Sequence, residues 1–179
     1  MILVLLADGF EEIEALTPVD MLRRAGKKVF TVGITGKNVT GAHGIEVVAD
    51  AVPSSLPNDK IECLILPGGM PGTKNLDASP VTDGLIGRTR ADNGRLAAIC
   101  AAPSVLGKRG LLRGKKATCY PSFEKFLDGA DCKTEKVVTD GLVTTSRGAG
   151  TAMDFALELV RLTVSPEKAA ELSSSVIFD

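Results

Sequence analysis

Unbroken apolar runs alternate along this chain with stretches whose apolar residues recur every three or four positions. "MILVLLA", at the start, has no polar interruption, which marks a strand buried on both faces. "EEIEALTPVDMLRRAG" follows with a helical pattern, closed by two arginines and Gly26. Pro18 falls inside that pattern and predicts a kink or a lost hydrogen bond. "KKVFTVGI" reads as the second strand, and "IEVVAD" as a short strand in an irregular stretch through Pro53 and Pro57. "IECLILP" is the next buried strand, broken by "GGMPG".

A helix from about Pro80 to Asn93 precedes the strand "RLAAIC", which runs directly into the helix "APSVLGKRG". "KKATCY" and the pair "EKVVTD" and "GLVTTS", hinged on Asp140 and Gly141, predict strands ending in a hairpin. "TAMDFALELVRLT" is a long helix. "SPEKAAELSSS" is a last one, with Ser165 as N-cap and Pro166 at the first helical position.

Continuous apolar strands alternating with helices imply an α/β fold, a mostly parallel sheet covered by helices on both faces. No repeat, low-complexity segment or linker interrupts the pattern, so residues 1–179 are expected to form one domain. In open sheets of this kind, sites gather beyond the C-terminal ends of the strands. Three places qualify: "ADGFEEIE", "LPGGMPG" and "ICAAP".

Composition narrows the partners. Twenty-one Lys and Arg against 22 Asp and Glu give a net charge of -1 with no basic stripe, which argues against nucleic acid or an anionic membrane. The apolar start lacks a positively charged leader and no apolar run approaches the ~20 residues of a membrane span, so a cytoplasmic location is expected. Cys63, Cys100, Cys119 and Cys132 are widely spaced, which fits four free thiols rather than a disulfide framework. A zinc site would want more than His43, the one histidine, so neither metal nor cofactor is expected.

Cys100 stands where a strand becomes a helix. A thiol on that corner is held out of the sheet, and the following amides and helix end are expected to lower its pKa and make it a nucleophile. Ala101 and Ala102 are small enough for the tight corner, like the residues flanking the serine of a nucleophile elbow. Cys63, inside a strand, reads instead as a small buried hydrophobe, and Cys119 and Cys132 as structural. In "LPGGMPG" the two glycines permit a backbone whose freed N–H groups can stabilise an oxyanion, although an ordinary glycine turn looks the same. Glu11 and Glu12 in the first helical turn read as complements to the helix dipole. Glu14 shares the stripe of Phe10, Met21 and Ala25 and should point inward, where burial raises a carboxyl pKa. The acidic loop would repel a phosphate, which excludes flavin mononucleotide there.

"GFEEIEALTPVDMLRRAG", "LPGGMPGTKNL", "AAICAAPSVLGKRGLL" and "DGLVTTSRGAGTAMDFALELV" together resemble the ThiJ/PfpI superfamily, closest to its DJ-one branch of the parkinsonism-associated deglycase and bacterial relatives. The match runs nearly from end to end. It implies a flavodoxin-like three-layer α/β/α sandwich of the class I glutamine amidotransferase-like type, and a homodimer. It also implies a reactive Cys100, with the protonated carboxyl of Glu14 hydrogen-bonded to the thiolate or its sulfinate. The oxyanion donors implied are the backbone N–H groups of Gly69 and Ala101, and Asp20 and Arg24 would lie near the dimer interface and the neighbouring pocket.

Two departures follow. Tyr120 stands where well-studied relatives have a histidine near the cysteine, and a phenol cannot replace an imidazole as a neutral-pH base. His43 falls where relatives have an arginine. The peptidase branch carries histidine directly after its cysteine, and here that residue is Ala101; glutamine amidotransferases need a late histidine that this chain lacks. Two functions remain in view. One is a glutathione-independent glyoxalase or deglycase acting on methylglyoxal or its adducts. The other is an oxidation-sensing or chaperone-like binding protein whose Cys100 forms a sulfinic acid. An inert structural Cys100 is the plain alternative.

Overall fold

A computed structural model describes residues 1–178. In chain order the elements are β1 (Ile2–Leu6), α1 (Glu12–Arg24), β2 (Val29–Gly33), β3 (Asn38–Thr40), β4 (Glu46–Val48) and β5 (Cys63–Leu66). Then come α2 (Gly72–Ala78), α3 (Pro80–Ala91), β6 (Arg95–Ile99), α4 (Pro103–Lys108), β7 (Lys116–Ala117) and β8 (Asp131–Cys132). The chain continues through β9 (Val137–Asp140), β10 (Val143–Ser146), α5 (Ala152–Thr163) and α6 (Pro166–Ser175). The central sheet has six strands in the order β2-β1-β5-β6-β10-β9. All neighbours are parallel except β9, which returns antiparallel to β10 across the Asp140–Gly141 turn.

The period-two geometry of strands splits the core into two layers. Ile2, Val4, Leu6, Ile65, Ala97 and Ile99 face α1 and α5, against Ala15, Leu22, Phe155 and Leu159. Leu3, Leu5, Leu64, Leu66, Leu96 and Ala98 face the other way, onto Leu76, Leu85, Val105 and Leu106. Every residue of β1 and β5 is buried, which is why these strands read as unbroken apolar runs; β10 is equally buried but carries Thr144, Thr145 and Ser146. This is the flavodoxin-like sandwich expected from the sequence.

The helix over Glu12–Arg24 runs through Pro18 without interruption; the ring removes one donor and costs no turn. Gly26, at φ +78°, closes it by donating to the Arg23 carbonyl at 2.9 Å. Ser165 caps α6, its hydroxyl accepting from the Lys168 N–H at 3.1 Å. Three local expectations change. "KKATCY" forms a strand only over Lys116–Ala117, because the Thr118 N–H donates to the Thr145 hydroxyl at 2.8 Å and the Tyr120 N–H to the Cys100 carbonyl at 2.8 Å. Residues 72–78, to which the pattern assigned no element, form α2, which buries Leu76. "IEVVAD" contributes Glu46–Val48 to a two-stranded hairpin with the unforeseen β3.

Candidate active site

The parallel sheet delivers three chain segments to one end. After β1 the chain enters α1, after β5 it makes the Gly68–Gly69 turn, and after β6 it reaches Cys100. Cys100 adopts φ +63°, a left-handed conformation rarely taken by a residue with a side chain. Its N–H donates to the Ser146 carbonyl and its carbonyl accepts from the Tyr120 N–H, at 2.9 and 2.8 Å. These two bonds hold the strained corner in place. The thiol is partly exposed there, whereas Cys63 and Cys119 are sealed in the core and Cys132 lies at the surface.

Glu14 comes up from α1 beneath this corner and is only 1% exposed. Its Oε2 accepts the Gly68 N–H at 2.8 Å, and its carboxyl lies beside the Cys100 side chain, close enough for each to shift the other's pKa. The contact requires a glycine at 68, because a Cβ there would lie 2.6 Å from Glu14 Oε2 and 2.8 Å from Cys100 Cβ. Gly69, at φ +88°, and Ala101 have their backbone N–H groups near enough to the sulfur to favour its thiolate. Glu14 Oε1 is buried without a hydrogen-bond partner among the described residues.

Burial pushes the Glu14 carboxyl up to about 7, against the pull of the Cys100 and Gly68 hydrogen bonds, and the charge of Glu11 adds to the rise. Burial likewise pushes the Cys100 thiol up to about 12, reinforced by the negative charge of Glu14 and opposed by the Ala101 and Gly69 amides. The expected depression by a helix end is therefore overturned. α4 begins at Pro103, three positions after Cys100, and has only six residues. What the fold provides instead is a buried carboxyl, its pKa pushed up to about 7 by desolvation, beside a thiol.

The remaining candidates divide. Tyr120 stands at the rim, anchored to the Cys100 carbonyl through its backbone, with its ring edge-on to Phe123 at 6.4 Å. His43 is held elsewhere. Its Nδ1 lies 3.0 Å from Glu12 Oε2 and its N–H donates to Glu12 Oε1 at 2.9 Å, in a recess with Glu11, Ile13 and Ile45 that Cys100 does not line. Asp20 and Arg24 pair with each other at 2.8 Å on the exposed face of α1. Glu12 does more than complement the helix dipole, since it ties the β3–β4 hairpin to α1; nothing at residues 11–14 alone indicates that. Glu11, Glu12 and His43 are the one group among the described residues with three metal-ligand atoms close together, within 4.8 Å. Glu12 already spends its oxygens on His43 and Ile45.

The sequence profile of the DJ-1/PfpI family matches residues 1–162. The chain belongs to the DJ-1/PfpI family. Within it, Drosophila melanogaster dj-1beta is 38% identical over 180 residues, covering 98% of this chain and 95% of that protein. The crystal structure of that DJ-1beta superposes with a TM-score of 0.94 at 36% identity, over 99% of this chain and 97% of that one. The Caenorhabditis elegans glutathione-independent glyoxalase DJR-1.2 is 34% identical over 96% of this chain and 92% of its own length. Arabidopsis thaliana DJ-1 homolog B is 38% identical over 98% of this chain, which spans only 41% of that plant protein.

Proposed function

We propose that this DJ-1/PfpI chain is a stress-response enzyme, a glutathione-independent glyoxalase or deglycase that works on methylglyoxal or its adducts through Cys100. The observation that carries this is Cys100 held at φ +63° on a strand-to-helix corner beside the buried carboxyl of Glu14, whose pKa burial pushes up to about 7. A general base is most useful when its pKa lies near the working pH. Glu14 thus takes the part of the histidine that Tyr120 replaces. As Sγ bonds to the aldehyde carbon, the thiol proton passes to Glu14, and the carbonyl oxygen becomes an oxyanion facing the Gly69 and Ala101 N–H groups. Glu14 returns that proton to the oxyanion, leaving a hemithioacetal hydroxyl, and as the carboxylate it then carries the proton of the former aldehyde carbon to the neighbouring carbon while the hydroxyl proton passes to the neighbouring oxygen. The first carbon is oxidised to a thioester and the second is reduced to an alcohol, so no external oxidant is needed. Water cleaves the thioester, releasing lactate and restoring the thiol.

The deciding experiment is lactate formation from methylglyoxal by purified protein without glutathione. Wild type should turn over, and Cys100→Ser should lose at least about 100-fold. Equal rates in the two proteins would reject the assignment. The DJR-1.2 relative, named a glutathione-independent glyoxalase, supports the reaction class.

A second role rests on the same amides. A sulfinate on Cys100 would place its oxygens toward Gly69, Ala101 and a protonated Glu14, so mild peroxide should add two oxygens at Cys100 alone. Oxidation spread evenly over the four cysteines would contradict it. The working unit in this proposal is a cytoplasmic homodimer of one 1–179 domain. Ile13 and Leu16 on the outer face of α1 and Ile45 and Val48 on the adjacent hairpin are exposed and apolar, which supports a partner there. Light scattering on Ile13→Lys, which should dissociate to a monomer, tests it.

A further inference from the structure

The opposite end of the sheet holds a cavity of ≈ 490 Å³, at the N-terminal ends of β6 and β10. It lies between the end of α3, the segment after α4 and the β9–β10 turn. Its floor is Leu96, Leu111 and Leu142, and its walls carry Arg90, Arg113 and Lys115. No aspartate or glutamate lines it. The lining thus carries three cations and no carboxylate, although Arg113 and Lys115 have acidic partners, Asp128 and Asp140, outside it.

The three cations are weakly committed. Arg90 makes no ion pair with a carboxylate among the described residues. Arg113 pairs with Asp128 where both side chains are 70% exposed or more, a kind of bond worth about 0–1 kcal/mol and readily exchanged. Lys115 is 3.7 Å from Asp140, whose other oxygen already accepts the Lys116 N–H at 2.9 Å. A ligand can therefore recruit all three without breaking a strong interaction. The volume is of the size that holds small molecules, and guanidinium groups favour planar, multiply charged oxyanions.

We propose that this cavity binds a small organic polyanion, its charged oxygens on Arg90, Arg113 and Lys115 and its carbon skeleton on Leu96, Leu111 and Leu142. A phosphate ester and a polycarboxylate share this chemistry, and adenosine monophosphate and citrate stand for them. The site does not depend on the reaction assigned to Cys100.

The test is a titration of the full chain followed by the backbone amide signals of Leu96, Leu111 and Leu142. Saturable shifts with adenosine monophosphate assign a phosphate ester, and saturable shifts with citrate a polycarboxylate. Binding should weaken by roughly tenfold or more in the Arg90→Gln, Lys115→Gln double variant. Cys100 alkylation in that variant should match wild type, which also shows that it folds. Shifts that stay linear with both probes, or that saturate equally in the double variant, would overturn the proposal. So would inorganic phosphate binding as tightly as adenosine monophosphate, because the apolar floor would then contribute nothing.

Discussion

Glu12 and Glu14 sit two positions apart in the first turn of the same helix and are both hidden from solvent, at 6% and 1% exposure. They titrate in opposite directions. Burial acts against the charge of Glu12, but hydrogen bonds from the His43 ring and the His43 and Ile45 backbones outweigh it and hold the carboxyl below its usual range. Glu14 receives one backbone donor, Gly68, and faces a thiol, so burial wins and its pKa rises to about 7. Depth and donors act together: Glu14 lies deep in the fold with one backbone donor, whereas Glu12 lies shallow beneath the β3–β4 hairpin with several.

The largest test of that contrast is stability against pH. A carboxyl with a raised folded pKa costs stability that is absent below its unfolded value near 4.5 and fully present above about 7. Glu14→Gln removes that cost, so it should stabilise the protein by about 3 kcal/mol at pH 8 and by little at pH 4 in chemical denaturation. An equal effect at both pH values would break the contrast. Glu12 has the reverse sign: its contribution is present above the unfolded pKa and is lost as pH falls through the lower folded one. Glu12→Ala leaves the His43 and Ile45 N–H groups without their acceptor and should cost roughly 1–3 kcal/mol at pH 7. Cys100 alkylation should be unchanged in that variant. The smallest effect belongs to His43→Ala. The imidazole is exposed, its pKa raised first by Glu12 and then by the charge of Glu11, so its contribution is held below the unfolded value and lost as pH rises through the folded one. Methylglyoxal turnover in His43→Ala should stay within about twofold of wild type, as for most exposed pairs.

Much of this was legible from the chain. Period-two and period-3.6 patterns gave the alternating strands and helices, and helical spacing alone turned Glu14 inward. Cys100 was legible as a corner residue because an apolar strand ends on it and a proline-started helix begins three positions later. The hidden parts depend on distant segments. α2 was missed because "GTKNLDA" offers one large apolar residue, Leu76, too few to show a period. The role of Glu12 needs a hairpin 31 residues away, and the pKa values at Glu14 and Cys100 need the Gly68 turn 54 residues from Glu14. A local rule about helix ends predicted a lowered thiol pKa. It could not weigh burial and a neighbouring charge brought in by the fold.

The most direct measurement is the rate of Cys100 alkylation as a function of pH, in wild type and in Glu14→Gln. If the thiol and the carboxyl share a proton, the wild-type rate climbs through a step near pH 7, and that step vanishes in Glu14→Gln, leaving only a more alkaline one. Two superimposable profiles with a single step at the ordinary cysteine value of about 8.5 would contradict the account.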